Sequence, residues 1–86
     1  WKDVWAERVI IMAQTKVKFS ETRDVTDFVH AAEKCDFDID IGYNHTVVDA
    51  KSILGVLGLG LERMLTVQCH GENTEFDRMI QKYAIG

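Results

Sequence analysis

A serine follows a lysine in Lys51-Ser52-Ile53-Leu54-Gly55, and its hydroxyl is one candidate for a charged modification. Its hydroxyl precedes an apolar run, which places it in the first turn of a helix, where unpaired N–H groups and the helix dipole favour a phosphate. The plain alternative is a hydroxyl that caps the helix or bonds locally. A second candidate lies in Ser20-Glu21-Thr22-Arg23-Asp24-Val25, where Glu21 offers a carboxylate acceptor and Arg23 a clamp for phosphate. Against it, Glu21 and Asp24 would together repel a dianion, and a solvated carboxylate in a helix's first turn explains Glu21 equally simply. The three histidines are placed less well. His30 lies off its helix's apolar stripe, His45 falls in a turn and His70 alternates outward after Cys69; none has an imidazole at a helix N-terminus among phosphate-binding donors. Cys69-His70 lacks a second pair at ligand spacing, so neither a metal site nor a cofactor is expected. No nucleophile, base and orienting group can be assembled, which argues against an enzyme.

The elements that hold these residues belong to a small domain. At 86 residues the chain can bury one core, without a second lobe to enclose a cavity. Hydrophobic residues at 47% and charged residues at 28% are the balance of a folded globular protein. A net charge of −4 with no basic run excludes the phosphate contacts a nucleic-acid binder needs. The longest apolar stretch, 53–61, is far short of the roughly 20 residues of a membrane helix, and no secretory signal is recognisable. A cytoplasmic protein is therefore expected, with Cys35 and Cys69 as reduced core thiols and Asn44-His45-Thr46 carrying no glycan.

Residues 1–14 read as a leader without assigned function. Trp1, Val4 and Trp5 are spaced as a short helical stripe, and Val9-Ile10-Ile11-Met12 reads as a strand or buried turn. Met12-Ala13-Gln14 would make a natural start, so the leader is expected to be a remnant of a longer protein or of processing. From 15 to 86 the pattern is that of one domain. Val17 and Phe19 alternate with Lys16 and Lys18 as a strand, then Val25, Phe28, Val29 and Ala32 repeat at helical spacing, with Ser20 or Thr22 as the cap. Phe37, Ile39, Ile41 and Tyr43 alternate with polar residues; Asn44-His45 turns the chain into Thr46-Val47-Val48, a hairpin. Asp49 is positioned to cap a short, mostly buried helix of Ile53, Leu54, Val56 and Leu57 that Gly58 and Gly60 stop. Leu65, Val67 and Cys69 form a further strand, and Gly71-Glu72-Asn73 leads to a helix with Phe76, Met79, Ile80 and Tyr83 inward. The order β-α-β-β-α-β-α suits an α+β fold with an antiparallel sheet and its helices on one face.

The segment Val48-Asp49-Ala50-Lys51-Ser52-Ile53-Leu54-Gly55-Val56-Leu57-Gly58-Leu59-Gly60 resembles the second-helix segment of HPr, the phosphocarrier of the bacterial sugar phosphotransferase system. Ala31-Ala32-Glu33-Lys34-Cys35-Asp36, the alternating strand and Val47-Val48 follow the same family in the same order, so the likeness runs over roughly 16–83. It implies the family's open-faced β-sandwich, a four-stranded antiparallel sheet covered by three helices. The family carries phosphate on the histidine of a Gly-x-His-x-Arg-Pro-Ala run at the start of its first helix. Here that place holds Ser20-Glu21-Thr22-Arg23-Asp24-Val25; Arg23 is the only match, the chain has no proline, and the preceding connection is several residues short.

The resemblance implies that Ser52 is the residue HPr kinase phosphorylates in Gram-positive bacteria. It also implies that Ile53, Leu54 and Leu57 belong to a face that docks enzyme I, transporters and a transcriptional regulator; core packing is the plainer account of the same side chains. The expected function is an HPr-like regulatory or protein-interaction module without histidine phosphotransfer. Two alternatives stand beside it: a phosphotransfer component with a non-standard acceptor, Glu21 or His30, and a structural domain of a larger protein.

Overall fold

The computed structural model describes residues 14–85, so the leader stripe of Trp1, Val4 and Trp5 and the expected element at Val9-Ile10-Ile11-Met12 lie outside the described residues. In chain order the elements are β1 (Gln14–Val17), α1 (Thr22–Glu33), β2 (Ile39–Tyr43), β3 (Thr46–Asp49), α2 (Ile53–Leu59), β4 (Leu65–Cys69) and α3 (Thr74–Ile80). The sheet runs β1-β4-β2-β3 with every neighbouring pair antiparallel. This is the α+β architecture expected from the order of elements.

Period-two alternation decides which face of the sheet is covered. Val17, Ile39, Ile41, Leu65, Val67 and Cys69 are buried beneath the helices. Lys16, Asp40, Thr66 and Gln68 occupy the other face, which no helix among the described residues covers, and there Lys16 Nζ donates to Thr66 Oγ1 at 2.7 Å. The helices supply the facing layer through the positions their spacing predicts: Val25, Phe28, Val29 and Ala32 from α1, and Phe76 and Ile80 from α3. Three aromatic contacts link these layers. Tyr83, Phe19, Phe28 and Phe76 stand in line with successive ring centroids 5.3, 5.2 and 5.7 Å apart, in tilted or edge-on geometries that the ring quadrupole favours. Each fully buried ring stabilises the fold by about 1.5–3 kcal/mol.

Helix ends differ in detail from the expectations. At α1 neither Ser20 nor Thr22 is the cap: Glu21 holds that position in extended conformation, and the Asp24 carboxylate turns back to accept the N–H groups of the preceding turn. At α2 the cap is Ser52 and not Asp49, because Asp49 is spent one turn earlier, accepting the Lys51 N–H on Oδ1 at 2.9 Å. Gly58 lies inside α2, and the helix stops at Gly60, whose φ of 99° suits a residue without Cβ. The helix is also less buried than its composition suggests, since Val56 and Leu59 face the core while Leu54 is 80% exposed. Asn73 Oδ1 caps α3 by accepting the Phe76 N–H at 2.9 Å. Just before it, a Cβ on Gly71 would stand 2.5 Å from the Phe37 ring, so the close approach of these two loops requires glycine. Among the described residues no helix is long and apolar enough to cross a membrane.

Candidate functional site

Two helix starts carry the residues that sequence reasoning singled out. At the first, β1 ends at Val17 and α1 begins at Thr22, so residues 18–21 make the whole connection. Glu21 and Arg23 are both exposed there. The N–H groups of Ser20 and Glu21, which point out of the helix start and would otherwise be free to bind an anion, both donate to Asp24 Oδ2 at 3.1 Å. The chain's own carboxylate thus closes a capping box at this helix start. On the other side of this entrance, Glu62 N–H donates to Phe19 O at 2.7 Å and the Glu62 carboxylate lies 3.5 Å from Lys18 Nζ, so the loop after α2 is pinned to the segment before α1. Glu62 holds this contact with a φ of 61°, a left-handed conformation that is unfavourable for a residue with a long side chain.

His30 is in the last turn of α1, exposed, and removed along the helix from Glu21 and Arg23. His45 is exposed in the β2–β3 turn. His70 leaves β4 toward the open face of the sheet, where its Nε2 lies 3.0 Å from Asp40 Oδ2. The three histidines are therefore on three different elements, and the structure gathers none of them at the start of α1.

The second helix start is built around Ser52. Its N–H donates to Asp49 O at 3.0 Å, its Oγ accepts the Gly55 N–H at 3.2 Å, and its carbonyl accepts the Val56 N–H at 3.0 Å. These bonds fix an extended serine at the cap position with its side chain in solvent. Gly55 keeps the approach open, since a Cβ there would come within 3.2 Å of both Ser52 Oγ and the Val48 side chain. Lys51 is half-buried and reaches across to α1, donating from Nζ to Cys35 O at 2.9 Å. A cation at that point satisfies a carbonyl just past the end of α1, at the negative end of its dipole. This tether was not legible in the sequence, because it joins residues whose proximity depends on how α1 and α2 pack.

The apolar residues after Ser52 separate by direction. Ile53 and Leu57 are half-buried and packed against the core, whereas Leu54 stands almost free in water. Of the residues expected to dock a partner, Leu54 alone is exposed without a packing contribution.

Both thiols are free and buried. Burial, with a smaller contribution from Asp77, pushes the Cys69 thiol up to about 11, and burial likewise raises Cys35, so neither is a ready thiolate. Among the described residues no group of three or more His, Cys, Asp or Glu side chains is placed to hold a metal ion.

Comparison with known proteins agrees with this architecture. The family model described as the PTS HPr component phosphorylation site matches residues 15–82. Among solved structures, the phosphocarrier protein HPr from Bacillus anthracis str. Ames superposes with a TM-score of 0.66 at 28% identity, over 84% of this chain and 96% of that one. HPr-C-His from Thermoanaerobacter tengcongensis gives 0.65 at 22% identity, over 83% and 86% of the two chains. The histidine-containing phosphocarrier protein of a mycoplasma gives 0.55 at 19%, over 80% and 84%. The last two likenesses speak for the fold alone. With the family model spanning both helix starts and all of the sheet but Gln14, the chain belongs to the HPr family, which is related to the phosphotransferase system.

Proposed function

We propose that this chain is a regulatory, protein-interacting member of the HPr family that does not carry phosphate on histidine. The observation that carries the reading is the pair of 3.1 Å bonds from the Ser20 and Glu21 N–H groups to Asp24 Oδ2. A carboxylate, of the same charge as a phosphate cargo, is thus fixed at this helix start, and the segment Ser20-Glu21-Thr22-Arg23-Asp24-Val25 holds no imidazole beside it. Interaction with a partner is assigned to Leu54, with Ile53 and Leu57 at the rim of the same face, where a protein of the phosphotransferase system or a transcriptional regulator would dock. Ser52 is assigned as the residue that a serine kinase of the HPr kinase type would modify, since it is exposed at the start of α2.

Incubation with enzyme I and labelled phosphoenolpyruvate tests the first part: the protein should stay unlabelled while an HPr control becomes labelled. Acid-labile label on any histidine, or hydroxylamine-sensitive label on Glu21, would sink it. Incubation with HPr kinase and ATP, followed by mass mapping, tests the second; modification confined to residues other than Ser52 would remove the assignment.

A further inference from the structure

Among the described residues, helices cover one side of the sheet only, and the open side divides into a polar and an apolar end. At the polar end His70 Nε2 lies 3.0 Å from Asp40 Oδ2, and beside it Lys16 Nζ donates to Thr66 Oγ1 at 2.7 Å, so these groups already have partners. At the apolar end Gly42, Val47, Met64 and Thr66 border a groove of about 360 Å³. Gly42 opens it, and the hairpin demands glycine there, because a Cβ would stand 2.8 Å from Thr46 O and 3.2 Å from Val47 Cγ2. Val47 and Met64 are 65% and 59% exposed, two of the four large apolar side chains left in water among the described residues. Both line this groove.

We infer that this groove is a docking site for residues 1–13 of the same chain. Those residues enter the sheet at Gln14, the start of β1, while the groove lies toward β3 at the opposite edge. From β1 to β3 is three strand spacings, about 14 Å, and 13 extended residues reach about 40 Å, so the segment spans the open face with length to spare. Composition fits the groove. The segment holds Trp1, Trp5, Val9, Ile10, Ile11 and Met12, and its charges, Lys2, Asp3, Glu7 and Arg8, cancel. Apolar surface of that extent gains by leaving water, and the paired polar groups of the sheet lose no partner when it is covered. The tether selects the occupant, since a short connection holds the segment at millimolar effective concentration about its own domain, far above that of a second copy in dilute solution. Leu54, the most exposed apolar side chain, lies on α2 on the helix side of the sheet, away from this face. This inference does not depend on Ser52 or on the absence of histidine phosphotransfer.

Trp1 and Trp5 are the chain's two tryptophans, so indole fluorescence reports on this segment alone. Emission of the full chain should lie to the blue of that of a synthetic peptide of residues 1–13 and be quenched less by acrylamide. Both differences should hold unchanged from about 1 μM to about 100 μM, as an intramolecular contact requires. Val47→Lys and Met64→Lys each put a charge into the groove at an exposed position, where the fold tolerates it, and each should return the emission toward that of the peptide with Tm near the parent's. Leu54→Ser should leave the emission unchanged. Emission that matches the peptide's, a blue shift that grows with concentration, one that survives both lysine variants, or one that Leu54→Ser abolishes overturns the inference.

Discussion

Replacing Asp24 by alanine isolates the arrangement on which the proposed function rests. Asp24 Oδ2 accepts two backbone N–H groups at 3.1 Å, and both lie at an exposed helix end. In a shielded site two bonds to a carboxylate would be worth several kcal/mol, but solvent competes for these donors, so the loss of a helix cap, about 0.5–2 kcal/mol, is the better guide. The favourable position of a negative charge in the first turn adds about 0.3–1 kcal/mol. Asp24→Ala should therefore destabilise the domain by about 1–2.5 kcal/mol, which at this size lowers Tm by about 5–15 °C. Asp24→Asn keeps an oxygen acceptor and loses the charge, and should fall between parent and alanine variant. Urea unfolding at constant m measures the free energy, and thermal melts with and without inorganic phosphate supply the functional arm. With the Ser20 and Glu21 donors released, phosphate should raise the Tm of Asp24→Ala more than that of the parent. An alanine variant within about 0.5 kcal/mol of the parent, with an equal response to phosphate, would refute the claim that the Asp24 carboxylate holds these donors.

Ser52→Ala should cost about 1 kcal/mol through the lost cap on Gly55 N–H, whereas Ser52→Asp, a comparable capping residue, should melt near the parent; urea titration separates the two. Leu54→Ser should change stability by no more than about 0.5 kcal/mol because the side chain is exposed, while Val56→Ala, in the core, should cost about 1–3 kcal/mol. If Leu54→Ser also leaves binding to every phosphotransferase-system partner unchanged, the docking assignment fails. Cys69, raised by burial to about 11, stays protonated in the folded chain while the unfolded thiol ionises near its ordinary value of 9.0. Its contribution to stability is thus fully present below about 9 and declines as pH rises from there toward about 11, and native-state labelling by a thiol reagent at pH 8 should be slow until the chain unfolds.

Residue order revealed the elements wherever local periodicity and tertiary burial agree. β2 alternates Ile39 and Ile41 with Asp40 and Gly42, and β4 alternates Leu65, Val67 and Cys69 with Thr66 and Gln68, so one face of each could only be core. Helix starts were harder, because several residues able to cap stand close together. Asp49 and Ser52 both qualify by type, and the choice falls to the turn in which Asp49 accepts from Lys51, a competition between local hydrogen bonds that composition does not resolve. At α1 the favourable first-turn position of Asp24 was readable; its backward reach to Ser20 and Glu21 depends on the extended backbone at Glu21. The contact from Lys51 to Cys35 and the exposure of Leu54 come from the way α2 lies against α1, and no local pattern encodes that.

The proposed separation of fold from carrier chemistry has a structural basis. The connection over residues 18–21 places one side chain, Phe19, in the core, and the loop after α2 holds it there through Glu62. Apart from Cys35 and Ala50, the remaining core comes from residues inside the elements, with α1 contributing Val25, Phe28, Val29 and Ala32. Residues that would contact a phosphate at the start of α1 thus carry little of the burial that stabilises the domain, so that entrance can change length and charge while the sheet and its helices persist. The family match over residues 15–82 carries the fold to this chain; under the proposed function, the transfer reaction stands or falls on Ser20, Glu21, Arg23 and Asp24.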